Sequence, residues 1–252
     1  AGQMAEGLTA ENAATAARRN FETVVRRLYA ERDTIARLSG PQLVEKADEI
    51  ALDINAGILK KGALHRLDDS PKYPYTKAAE LPHALRQFGD ELHARLSDAG
   101  ADPVETAAWI EWRANLTDHF WADGVGKTSK ALAAVPLMRA GLPLPEYRST
   151  KEFFAVANKR RYSPENGPES YLSGEWSDFL AYYRTLMPAA VGAPYHLKHR
   201  EAVARATMET EAWRRATVPD QSRDTQRQPG YGSPGWLAAR RYTTPAGDVV
   251  GY

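Results

Sequence analysis

His119-Phe120-Trp121-Ala122-Asp123-Gly124-Val125-Gly126-Lys127-Thr128-Ser129-Lys130 is the stretch on which the fold class turns, because it admits two incompatible readings. Gly126-Lys127-Thr128 has the form of the end of a P-loop. That loop needs a glycine at position 121 and a β-strand feeding it, and position 121 is Trp. Upstream, Asp102-Pro103-Val104-Glu105 is a helix start: an Asp cap, Pro in the first turn and Glu three residues after the cap. Val104, Ala108, Trp112 and Leu116 then share one face toward Phe120. The spacing predicts a helix over 103–119, a tight turn at Gly124-Val125-Gly126, and a second helix over 127–140. The second helix stops at Gly141 with Pro143 beyond, and Pro136 inside it predicts a kink. The class that follows is all-α.

A glycine turn leading into a helix is an anion cradle for a physical reason. Glycine allows the sharp turn, and the first amides of the helix have no intrahelical acceptor. They point at one spot, where the helix dipole adds positive charge. Lys127 and Lys130 fall on the first turns and can reach outer phosphates as cations. Asp123 is placed to hold Mg²⁺, which prefers carboxylate and phosphate oxygens. His119, at the end of the preceding helix, can act as general base toward a hydroxyl. Base, metal carboxylate, cradle and cations together are what phosphoryl-type transfer requires.

Working outward, the first 40 residues read as an N-terminal helix, with Leu8, Phe21, Val24, Val25, Leu28 and Ile35 at helical spacing and a stop at Ser39-Gly40-Pro41. A second amphipathic segment covers 43–59. Lys61 to Lys77 loses periodicity and predicts a loop or small hairpin near 63–76. Helical pattern returns over 80–96, and again from Ser149 with Glu152, over 177–187, and, in a more polar form, over 195–215. The last residues, rich in Pro, Gly, Gln and Arg, read as an irregular tail. The expected division is an N-terminal helix over 1–40, a core domain over 41–190, and a C-terminal helix with tail over 191–252.

The composition supports an ordinary globular chain: 43% hydrophobic and 26% charged residues, with a net charge of +1. Such a balance gives no push toward nucleic acid, and Lys159-Arg160-Arg161 and Arg214-Arg215 read as solvated helix faces. There is no cysteine, which excludes disulfides and thiolate chemistry. The longest apolar run, Ala131 to Met138, falls far short of the roughly 20 residues of a membrane span. With no signal-peptide pattern visible, a cytoplasmic protein with no membrane partner is expected. Trp109, Trp112 and Trp176 read as core, and His196 with His199 as a surface helix without a third metal ligand.

The quoted stretch resembles the motif of the Fic/Doc family, His-Pro-Phe-x-(Asp/Glu)-Gly-Asn-Gly-Arg-x-x-Arg on a helix–loop–helix, and aligns to it without a gap. His119, Asp123, Gly124 and Gly126 match outright; Phe120 and Trp121 stand for Pro and Phe, Val125 for Asn, and Lys127 and Lys130 for the two arginines. Gly62-Ala63-Leu64-His65-Arg66 with Tyr73-Pro74-Tyr75 resembles the family's lead into a target-docking flap, and Leu172 to Phe179 its closing helix. The resemblance spans roughly residues 40–187. It implies a Fic-like helical bundle and a nucleotidyltransferase that moves an AMP-like or related phosphate-containing group from ATP or another nucleotide to a hydroxyl on a protein or small molecule. His119 would be the catalytic base and Asp123 the Mg²⁺ ligand. Gly124, Val125, Gly126, Lys127 and Lys130 would hold the nucleotide. Tyr73 and Tyr75 either line a target groove or pack under a loop. Val125 lacks the polar side chain of the family's Asn, and Lys127 lacks the planar fork of Arg. These departures leave a second class open, a degenerate Fic-fold protein that binds a nucleotide or partner without turnover or serves a different small-molecule reaction. The family's self-inhibitory sequence is absent, since Arg161 stands where Ser or Thr should precede Glu165-Asn166.

Overall fold

Thr9 opens the first helix by accepting the Asn12 amide on its hydroxyl at 3.2 Å, the usual N-cap contact. The computed structural model describes residues 4–5, 7–59, 62–147, 150–163, 167–188, 241–243 and 249–251. Helix α1 (Ala10–Ile35) buries Ala17, Phe21, Val24, Val25, Leu28 and Ile35, the face its sequence period marks out. Ser39-Gly40-Pro41 ends that run and also begins α2 (Gly40–Ile54): Gln42 Oε1 accepts the Ser39 amide at 3.0 Å, and Pro41 sits in the first turn. A short 3₁₀ turn (Ala78–Glu80) leads into α3 (Leu81–Ser97). Gly40 and Gly89 let α2 and α3 touch backbone to backbone, for a Cβ on Gly89 would run into the Gly40 carbonyl. Asp102 caps α4 (Pro103–Glu111), accepting the Val104 amide at 2.8 Å and the Glu105 amide at 3.3 Å.

Helix α5 (Val125–Arg139) is the centre of this bundle and packs on α4, α1 and α2. Beyond its polar first turns it is apolar all round, with Ala131, Leu132, Ala133, Ala134, Val135, Leu137 and Met138 buried, as a helix surrounded by others must be. It runs through Pro136 as one element and closes at Gly141, whose φ of +69° is the left-handed C-terminal stop.

Contacts divide the chain into two units, Ala1–Arg139 with Lys159–Ser173, and Ala140–Asn158 with Gly174–Tyr252. Helix α1 therefore shares a unit with α2 to α5, and the division expected at residue 40 does not coincide with this one. The second unit contains α6 (Thr150–Ala157) and α7 (Trp176–Leu186), joined by Phe153 against Phe179 at 5.7 Å between ring centres.

The described core is all-α, and of the two alternatives expected near 63–76, loop or small hairpin, the structure has the loop. Residues 62–77 carry only an isolated bridge, His65 to Trp121. Two-stranded pairs form instead between β1 (Asn158–Ser163) and β2 (Gly167–Ser173), and between β3 (Arg241–Thr243) and β4 (Val249–Gly251) within the expected irregular tail. None of these segments has the apolar alternation of a half-buried strand, so periodicity gives no signal for them. The polar helix expected over 195–215 lies outside the described residues. Of the three tryptophans read as core, Trp109 is buried, while Trp112 and Trp176 are half-buried.

Candidate active site

The helix expected to reach His119 changes character before it gets there. At Trp112–Thr117 the backbone widens into a π turn, with the Asp118 amide bonded to the Arg113 carbonyl at 2.8 Å. Such turns are rare and recur at functional sites. The backbone then breaks: His119 has a φ of +52°, alone among the described non-glycine residues in being positive. A left-handed histidine is uncommon and persists where its surroundings hold it.

Those surroundings are supplied by residues 62–77. The Arg66 guanidinium donates to the carbonyls of His119 and Asp118, at 3.3 Å each, and to those of Asp68 and Thr76. Main-chain bonds tie Arg66 to Phe120, Ala122 to Leu64 and Thr76 to Thr117, at 3.0 Å each. Asp118, itself buried, accepts Thr76 Oγ1 at 2.6 Å and Arg113 Nε at 2.9 Å. Trp121 is fully buried, and its indole donates to Asp48 Oδ1 at 2.8 Å, an oxygen shared with His65 Nε2 at 2.9 Å.

His119 Nδ1 lies 2.9 Å from the Asn115 carbonyl, which can only accept. Nδ1 therefore carries the proton, and Nε2 presents its lone pair. Burial holds the imidazole below its ordinary range, opposed by the Asn115 carbonyl and assisted by Arg66, so the neutral base dominates at pH 7. The ring of Tyr75 stacks on the imidazole at 4.3 Å and 10°, and Tyr73 stacks on Tyr75 at 5.1 Å and 8°. Both tyrosines flagged from the sequence are thus brought to His119.

Gly124 has a φ of +67°, and a Cβ there would lie 2.7 Å from Asn55 Oδ1. Asn55 Nδ2 donates to the Asp123 carbonyl at 3.2 Å and pins the turn from α2. The Gly124 carbonyl accepts the Lys127 and Thr128 amides at 3.0 and 2.9 Å, which starts α5. The amides of Gly124, Val125 and Gly126 meet no acceptor among the described residues. They are the open donors that the sequence predicts for the cradle, and Asp123 stands half-buried beside them.

The two lysines are not equivalent. Lys127 is 3% exposed, and burial, reinforced by the charge of Lys130, brings its amine down to about 7. Lys130 Nζ is 2.8 Å from Glu111 Oε2, on a carboxylate that is fully buried. One expected phosphate cation is thus only about half protonated near pH 7, and the other is engaged by an α4 carboxylate. Sequence reasoning missed Glu111, Asn55, Asn115, Asp48 and the clamp role of Arg66. Glu111 alone gave a signal, as a charge inside the apolar run Trp109-Ile110-Glu111-Trp112.

A groove lined by Glu91, Arg95, Asp98, Asp102 and Glu105 is mainly acidic and has the wrong sign for phosphate. No helix among the described residues is long and apolar enough to cross a membrane. No protein-family model matches the chain, and a comparison with curated proteins finds no relative.

Proposed function

We propose that the chain is a Fic-type transferase that moves an AMP-like nucleotidyl or related phosphate-containing group from a nucleotide to a hydroxyl. One observation carries the reading: a neutral imidazole with its Nε2 lone pair available stands at the same turn as the open amides that begin α5. In the reaction, the acceptor hydroxyl gives its proton to His119 Nε2 as its oxygen bonds to phosphorus. The phosphorus–oxygen bond to the leaving group, pyrophosphate when ATP is the donor, breaks. The Gly124, Val125 and Gly126 amides oppose the charge that builds on the non-bridging oxygens. Lys127, close to half-protonated near pH 7, gains charge as an anion approaches.

Asp123 fits Mg²⁺ in the manner usual for nucleotide sites, one carboxylate completed by phosphate oxygens and water. Among the described residues no group of three or more acidic or histidine side chains could hold a metal ion by itself, so phosphate oxygens and water would complete the shell around Asp123. Bound there, Mg²⁺ would neutralise phosphate charge. Tyr73 and Tyr75, stacked beside His119, are the side for the acceptor.

Engagement of Lys130 by Glu111 favours the second reading, binding without turnover, because it withdraws one cation from the phosphates. Mass spectrometry separates the two. The protein is incubated with Mg²⁺, each common nucleoside triphosphate and cell extract, alongside His119→Ala and Asp123→Asn. A mass addition made by the parent and lost in His119→Ala supports transfer. Calorimetric binding with no product supports the binder. No binding of any nucleotide at millimolar concentration overturns both.

A further inference from the structure

Asn115 lies on the π turn before His119, and its two polar ends serve different parts of the site. Its main-chain oxygen receives His119 Nδ1 at 2.9 Å. Its carboxamide faces α5: Nδ2 lies 3.9 Å from where a Cβ on Gly126 would stand. The residue is 5% exposed, and its carboxamide has no hydrogen-bond partner among the described residues, while neither Nδ2 nor Oδ1 is sealed from the surface, so both stay open to a ligand. The nearby carboxylates do not supply a partner, since Asp118 is taken by Arg113 and Thr76, and Glu111 by Lys130. What remains in front of Nδ2 is the first turn of α5, a helix of 15 residues whose leading amides are also open.

We propose that Asn115 is a binding residue of the anion site, its Nδ2 donating to a phosphate oxygen of the molecule seated on Gly124, Val125 and Gly126. The proposal rests on the reading of the preceding subsection that this site takes a phosphate-bearing molecule. An amide has donors to offer such a ligand and carries no charge of its own. It approaches from the π turn that follows α4 and supplies a polar contact that Val125 cannot. Because the same residue fixes the tautomer of His119 through its carbonyl, one turn registers the phosphate and the base against each other.

The test uses the full chain with Mg²⁺·ATP and, separately, inorganic pyrophosphate as probes. The Asn115 side-chain NH₂ signals are assigned by their loss in Asn115→Ala and followed in ¹H–¹⁵N spectra. They are expected to shift saturably with either probe. Asn115→Asp, nearly identical in shape, replaces a donor by a carboxylate and is expected to weaken binding roughly tenfold or more, as befits a lost hydrogen bond to a charged group. If the parent binds while the Asn115 signals stay still, or if Asn115→Asp binds equally well, the assignment to Asn115 is overturned and the anion site stands. If neither probe binds the parent, the phosphate reading fails and this inference with it. Should Asn115→Asp not fold, the side-chain shifts in the parent protein decide the matter alone.

Discussion

Gly124 and Gly126 are two residues apart and interchangeable on paper, yet an added methyl group separates them. In Gly124→Ala the backbone would have to keep a φ of +67°, which costs an L-residue about 1–2 kcal/mol. The new Cβ would also stand 2.7 and 2.8 Å from the Asn55 carboxamide atoms. Asn55 must swing away and give up its 3.2 Å bond to the Asp123 carbonyl, about another 0.5–1.5 kcal/mol. Reduced freedom of the unfolded chain returns about 0.4–1 kcal/mol, which leaves a net loss of about 2 kcal/mol. In Gly126→Ala the nearest obstacle is Asn115 Nδ2 at an ordinary 3.9 Å, and φ is not positive. Its effect should stay within about 0.5 kcal/mol and lean toward stabilisation. Urea denaturation of both variants measures this, repeated in an Asn55→Ala background. There the collision and the hydrogen bond are already gone, and Gly124→Ala should cost only the backbone strain, about 1 kcal/mol less than in the parent. Equal losses from the two glycine variants, or a Gly124→Ala penalty unchanged by Asn55→Ala, would refute this account of the turn.

The imidazole of His119 is held down chiefly by burial, and Tyr75 is a ring lying on it. Tyr75→Ala should therefore raise its pKa toward 6.5, read by NMR titration of the imidazole protons; an unchanged value would show that the stack does not desolvate the base. Between pH 7 and 9 the unfolded chain keeps the Lys127 proton, with an ordinary value of 10.5, while the folded chain has largely shed it. The unfolded state then binds more protons, so this residue makes stability rise with pH across that window, and Lys127→Met should remove that part of the slope in urea midpoints. Lys130→Met strands the fully buried Glu111 carboxylate and should cost about 3–5 kcal/mol, most of it recovered in Glu111→Leu/Lys130→Met; a mild single variant would mean that the pair opens to water.

How the sequence divides from the fold is plain at particular residues. The helices around the site were legible because their signals are local: the Asp102 cap with Pro103, the apolar spacing of α1, the stop at Gly141. The glycine turn before α5, with its open amides, was legible for the same reason, since backbone conformation over a few residues follows from side chains in those residues. The π turn over Trp112–Thr117 was not, because a widened turn depends on what holds the residue that follows. That hold comes from residues far away in the chain: Arg66 on the carbonyls of Asp118 and His119, and Tyr75 on the imidazole. The lysines make the same point about charge. Sequence supplies two cations, but a pKa is set by burial and neighbours, so only packing could bring the Lys127 amine down to about 7 and turn Lys130 to Glu111. The sequence by itself determined which residues gather at the turn into α5; tertiary structure decided which are charged, which nitrogen of His119 holds the proton, and which polar groups remain open, because those properties depend on partners that only folding brings within reach.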